Sequence, residues 1–278
     1  EFRRVLFRSA GEAIRFDPAV NDSTTAGELG LLNRVGVDPS RGRIVFALHD
    51  EPQRVDSHYH YGFGADLGGG PYDRRKWIVN PDLAAATYHV AEDGSAPAAG
   101  AATVHTDLAG ALQQWEDAER PNAVIVIWDS RTYALPDTLT LTAGRWLVIE
   151  AANGQRPLLQ SGPEGLQIEV PAAASGGPDC RAELTLSGIV LEGFLHVTGD
   201  LGRLRLLHAT LLPGRQLSAE GMPQTTEPSL VVESGTSADL LNERLRVELA
   251  FAITGPLRIP AHATGLWIMD SIVDGLGT

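Results

Sequence analysis

Three observations predict the fold: apolar segments ending on regularly spaced glycines, a two-residue alternation inside each segment, and one amphipathic helix just before them. Together they give a mostly β chain, a right-handed parallel β-helix with an N-terminal capping α-helix and a small N-terminal β-rich region. The glycines are Gly193, Gly214, Gly235, Gly255 and Gly275, spaced 21, 21, 20 and 20 residues apart. Four segments read LTLSGIVLEG, LRLLHATLLPG, VELAFAITG and LWIMDSIVDG, and LVVES precedes Gly235. That period is too short for helix-pair repeats and carries no leucine-rich-repeat asparagine, which leaves a coil of parallel strands.

A single rung cannot bury its own apolar face, but rungs stacked at roughly 4.8 Å give each inward side chain an equivalent neighbour above and below. The alternation points Leu184, Leu186, Leu204, Leu206, Val247, Leu249, Leu266 and Ile268 inward, and Thr185, Arg205, Glu248 and Trp267 outward. Weaker copies lie upstream at WLVIEA (146–151) and LQIEV (166–170), with VIVIW (124–128) as the first rung. About seven or eight rungs make a rod of roughly 35 Å. Right-handed winding is expected from the strong preference of parallel crossovers.

Upstream of the coil, TDLAGALQQWEDAER has Thr106 as N-cap, Leu108, Leu112 and Trp115 on one face, and Pro121 to stop it. Residues 106 to 119 are expected to lie across the open end of the coil. Residues 10–103 form a separate region. In it RIVFAL (43–48) and RVDSHYHYGF (54–63) pair across HDEPQ, ADLGGGPYDRR (65–75) is a loop, and AEDGSAPAAGAA (91–102) is a linker. The opening EFRRVLFRS has no apolar period and is read as a sequencing artefact over residues 1–9. The coil then occupies 104–278, and the lack of a capping unit after DGLGT predicts that the natural chain continues.

Composition narrows the function classes. A net charge of −13 with no basic run argues against nucleic acid and against an anionic membrane surface. No apolar run is long enough to span a bilayer. Cys180 is the one cysteine, which rules out an internal disulfide and a cysteine-based zinc site. The compartment stays open between a bacterial cytoplasmic assembly and an extracellular particle.

The order of helix, ERPNAVIVIWDSRTY (119–133), TLTLTAGRWLVIEA (138–151) and degenerate rungs resembles the start of pectate-lyase-like right-handed β-helix proteins. VDPSRGRIVF, SHYHYGFGADLGGGPYDR, HATLLPG and DSIVDG also resemble segments of large uncharacterised bacterial proteins of phage-tail-like or contractile-injection clusters. The first resemblance implies the fold and two chemistries on an outer face: aspartates holding calcium beside an arginine base, or stacked carboxylates that hydrolyse a glycosidic bond. The second implies an assembly component, with a homo-oligomer such as a trimeric rod among the expected states.

Several small sets of residues could carry chemistry. Glu150 and Glu169 each stand three residues after a rung leucine, so they are expected to project from neighbouring rungs as a carboxylate pair; Glu233 repeats the position. Asp129 and Arg131 flank the first rung, and Asp270 and Asp274 the last, as candidate calcium ligands or catalytic groups. Asp56, His58 and His60 alternate on one strand face in a pattern that suits Zn2+. Plainer readings compete with each: a solvated outer face, turn caps, and a polar strand face. The motifs call for no cofactor, with Ca2+ and Zn2+ the ions these residues would take, and no nucleophile, phosphate-loop or dinucleotide signature occurs. The leading reading is therefore a non-enzymatic structural or binding protein that contacts assembly proteins or a surface glycan. The alternative is a polysaccharide lyase or glycoside hydrolase of the same fold.

Overall fold

The computed structural model describes residues 66–78, 86–94, 103–171, 181–212, 228–236, 239–263 and 265–275, with the backbone of five short strands before them. The chain divides into two units, Glu1–Ala65 and Asp66–Thr278. The division falls well before residue 103, because Ala86–Val90, which the sequence pattern groups with the N-terminal region, is a strand of the coil's own sheet. Cys180, Asp56 and His60, and the linker from 95 to 102, lie outside the described residues.

In the first unit Val5–Ser9 pairs antiparallel with Glu12–Ile14 and with Ser57–Tyr59. Val5–Ser9 is thus a strand, although its sequence has no apolar period. Arg43–Val45 pairs with Gly36–Asp38, and not with the strand after HDEPQ. The sequence between those partners, Pro39 to Gly42, is short and carries both a proline and a glycine, so the local hairpin closes at lower entropic cost than the longer connection.

The second unit is mostly β and parallel. Among the described residues its strands form parallel sheets of eight, six and five strands, visited in rotation, with one short antiparallel pair, Gly235–Thr236 and Asp239–Leu240, inserted between two of them. One circuit runs Trp146–Ala151 in the long sheet, Leu158–Gln160 in the six-stranded sheet, Leu166–Glu169 in the five-stranded sheet, and then back to Ala182–Ser187 beside the first. Registers are in step: Leu147, Leu184, Leu204, Val247 and Leu266 occupy one column of the long sheet, and Ile149, Leu186, Leu206, Leu249 and Ile268 another. Tyr133, Leu159, Leu191 and Leu211 align in the six-stranded sheet, and Leu139, Ile168, Val197 and Val232 in the five-stranded one. These columns are the core, and each buried Leu or Ile contributes roughly 1.5–3 kcal/mol.

Two features of the core differ from the expectation. Leu266 and Ile268 keep the inward register but are exposed, because Gly265–Met269 is the last strand of its sheet and nothing described stacks beyond it. At the other end Ala86–Val90 and Val104–His105 extend the sheet past Ala123–Ile127, so 124–128 is not the first rung.

The helix spans Leu108–Asp117 and buries Leu108, Ala111, Leu112 and Trp115 in the same core, near that end. Its N-cap is Asp107 and not Thr106: the Asp107 carboxylate accepts from the Gly110 N–H at 2.6 Å, and aspartate is the stronger cap. Trp115 Nε1 donates to the Pro121 carbonyl at 2.9 Å and fixes the exit. Asp107→Ala is expected to cost about 1 kcal/mol in urea unfolding while Thr106→Ala costs little; equal losses would restore Thr106 as the cap.

The corner between the long and six-stranded sheets has its own backbone device. In the last four circuits a single left-handed residue directly after the long-sheet strand redirects the chain: Gly188 (φ 72°), His208 (φ 47°), Phe251 (φ 53°) and Asp270 (φ 43°). A non-glycine residue there costs about 1–2 kcal/mol. The His208 and Phe251 rings recover part of that by stacking at 4.7 Å with 7° between planes.

Candidate functional site

The outer face of the long sheet carries a groove of about 1050 Å3, lined by the sheet and by Lys76, Trp77 and Ile78. Parallel register builds its floor. Trp146, Glu183, Arg203 and Arg246 form one outward column, and Val148, Thr185, Arg205, Glu248 and Trp267 the next. Arg203 bridges two carboxylates: Nη1 lies 3.2 Å from Glu183 Oε2 and Nε 3.5 Å from Glu248 Oε1. Arg205 Nε donates to Glu248 Oε2 at 2.8 Å. The Arg246 guanidinium sits over the Trp267 ring, 5.2 Å from its centroid. Trp267 is 46% exposed, and Trp77 is open to solvent as well. The face thus offers aromatic surfaces separated by a ladder of fixed donors and acceptors. Its cations Lys76, Arg203, Arg205 and Arg246 outnumber Glu183 and Glu248, in a chain whose net charge is −13.

Beside the groove, residues 66–78 cross the corner. LGGGP packs flat on the coil: Gly68 N–H donates to the Phe251 carbonyl at 2.7 Å and Gly69 N–H to Thr210 Oγ1 at 3.0 Å. A Cβ at Gly69 would collide with the Ile189 carbonyl, so the glycines serve close approach and not only a turn. Arg74 is fully buried. Its Nη2 donates to the carbonyls of Ala151 and Ala152, both at 3.0 Å, its guanidinium fills the space a side chain at Gly188 would need, and Glu150 supplies opposing charge. Tyr72, Trp77, His208 and Phe251 form an aromatic cluster over the corner, with Trp77 edge-on to both His208 and Phe251.

The residues expected to carry chemistry are distributed differently. Glu150 is 1% exposed and adds opposing charge near Arg74, whereas Glu169 is exposed in the five-stranded sheet beside Thr140. They are on different sheets and form no pair. All three strands of a circuit alternate in the same way, so a leucine-based alignment does not tell which sheet a segment joins. Glu233 lies after a five-stranded-sheet strand and pairs with His196 at 3.2 Å. Asp129 is a turn cap: it accepts from the N–H groups of Glu92 and Arg131 and from the Tyr133 hydroxyl, whose pKa rises through burial and that bond. Arg131 pairs with Glu92 at 3.0 Å at the surface.

Asp270 occupies the left-handed corner and Asp274 follows the last strand, both exposed. Among the described residues no group of three or more His, Cys, Asp or Glu is placed to hold a metal ion. His58 has only its strand backbone described, so the Asp56, His58 and His60 set lies outside the described side chains. Among the described residues no helix is long and apolar enough to cross a membrane. No family model, curated protein or solved structure matches the chain.

Proposed function

We propose that residues 86–278 form a right-handed parallel β-helix on the pectate-lyase-like plan and that the chain is a non-enzymatic binding protein whose long outer face holds a glycan. Support comes above all from the groove itself, where Trp77, Trp146 and Trp267 share one face with the Arg203, Arg205 and Glu248 ladder. Indole faces suit the C–H faces of sugar rings, and fixed guanidinium and carboxylate groups suit ring hydroxyls. Parallel sheets visited in rotation and the general preference of parallel crossovers support right-handed winding. In a phage-tail-like or contractile assembly, residues 1–65 would carry the attachment.

A second reading, a polysaccharide-degrading enzyme, is favoured by one fact: Glu183 and Glu248 meet the same guanidinium. A glycosidase pair needs one carboxyl that keeps its proton and a partner free to attack or to activate water. Here both accept from guanidinium N–H groups, the arrangement of a rigid binding floor.

Titration with neutral and acidic oligosaccharides, read by tryptophan fluorescence, tests the proposal. Binding is expected to weaken about five- to thirtyfold in Trp267→Ala, the loss of one stacked ring of about 1–2 kcal/mol, with no new reducing ends or unsaturated products. Accumulating product that disappears in Glu248→Gln would establish the enzyme reading. Binding that ignores Trp267 would remove the groove from consideration.

A further inference from the structure

We infer that residues 66–78 are a detachable strap whose seating on the coil is governed by the protonation of His208, so that acid opens the wall of the groove. The strap is the wall: Lys76, Trp77 and Ile78 line one side, and the long sheet supplies the rest. It is also the lid over His208, which is only 4% exposed. Tyr72 and Trp77 cover the imidazole from the strap side, and Phe251 stacks on it from the coil side.

Hydrogen bonding fixes the tautomer. The Tyr72 hydroxyl donates its single proton to the Gly68 carbonyl at 2.5 Å, so at 2.9 Å from His208 Nδ1 its oxygen is the acceptor and Nδ1 carries the hydrogen. His208 Nε2 is then a bare lone pair, buried and without a hydrogen-bond partner among the described residues. A proton added there sits near the Arg74 guanidinium, with Asp66, through its carboxylate and its backbone, the one opposing influence. Tyr72 also faces the ring, but burial raises its pKa to about 12, so it stays protonated through this range, and the coil presents the apolar Phe251. Burial first, and Arg74 second, lower the His208 pKa from 6.5 to about 4.

Linkage sets the direction. With the strap seated, His208 resists protonation; with the strap lifted, the ring meets water and titrates near 6.5. Seating is therefore at full strength above about pH 6.5 and is lost as pH falls toward 4. Between pH 7.5 and pH 5 the opening constant is expected to rise about thirtyfold. The seating does not depend on what the groove binds; only its consequence for a ligand rests on the glycan reading.

The experiment uses the full chain without ligand. Hydrogen exchange, corrected for intrinsic rates, is followed from about pH 7.5 to about pH 5 on the Gly68, Gly69 and Arg74 amides, with Ala182–Ser187 as internal reference, while the His208 imidazole is titrated by NMR. Strap protection should fall roughly thirtyfold across that range, with the reference strand unchanged, while the seated His208 itself stays unprotonated until the pH nears 4. His208→Asn, tolerated at a left-handed position, is expected to abolish the pH dependence whether the strap is then seated or lifted. A His208 that titrates near 6.5 under a still-protected strap, or strap protection that does not change between pH 7.5 and pH 5, would overturn the inference. Failure of glycan binding would leave this result untouched, and failure here would leave the glycan reading untouched.

Discussion

Leu206→Asp is expected to unfold the coil, and Ile268→Asp to leave it standing. The two residues share one inward column of the long sheet, two strands apart through Leu249. Leu206 is completely buried, and a lone carboxylate placed there costs several kcal/mol on top of the lost burial, comparable to the whole stability of a domain. Ile268 is 48% exposed on the terminal strand, so its replacement keeps a hydrated carboxylate and costs about 1 kcal/mol, the half-burial it loses. Thermal unfolding by circular dichroism separates them. A near-native melting temperature for Leu206→Asp would mean that the column does not face the core.

Arg74→Ala is expected to destabilise the second unit by about 3–5 kcal/mol, because it empties a fully buried site and leaves the Ala151 and Ala152 carbonyls without their donor. The guanidinium occupies the space next to Gly188, serves the carbonyls of Ala151 and Ala152, and adds opposing charge near the buried Glu150 carboxylate. Adding Glu150→Gln to Arg74→Ala is expected to recover at least about 1 kcal/mol, because the double variant buries no uncompensated charge. Urea denaturation of the two single variants and the double variant measures the coupling. Strictly additive losses would show that Arg74 acts through its carbonyl bonds and packing alone.

Much of the architecture is legible in the sequence because inward columns leave a direct mark on it. Leu184, Leu186, Leu204, Leu206, Val247 and Leu249 are buried as their alternation requires, and the WLVIEA segment lies in the same sheet. LQIEV and LVVES belong instead to the five-stranded sheet, a difference their pattern hides, since a circuit holds three strands and each obeys the same period of two. The same ambiguity makes Glu150 and Glu169 look like a pair when only the sequence is read. The site itself is half visible. Alternation marks Arg205, Glu248 and Trp267 as outward residues, and in register they build the groove floor.

The strap is hidden from sequence reading because its contacts are distant along the chain. Tyr72 and His208 are 136 residues apart, and Arg74 meets Ala151 across 77. One local signal is present: three consecutive glycines followed by Pro71 and Tyr72 exceed what a simple turn requires. Such a run also lets backbone lie against backbone, and here it does.

Whether the outer face of the long sheet binds a glycan is decided by an experimental structure of the chain soaked with the best-bound oligosaccharide. Sugar rings are expected against Trp267 and Trp146, hydroxyls on Arg205 and Glu248, an uncleaved ligand, and right-handed winding of the three sheets beneath. Ligand seated instead on the five-stranded sheet near His196 and Glu233, or cleaved fragments in the groove, would contradict the proposal.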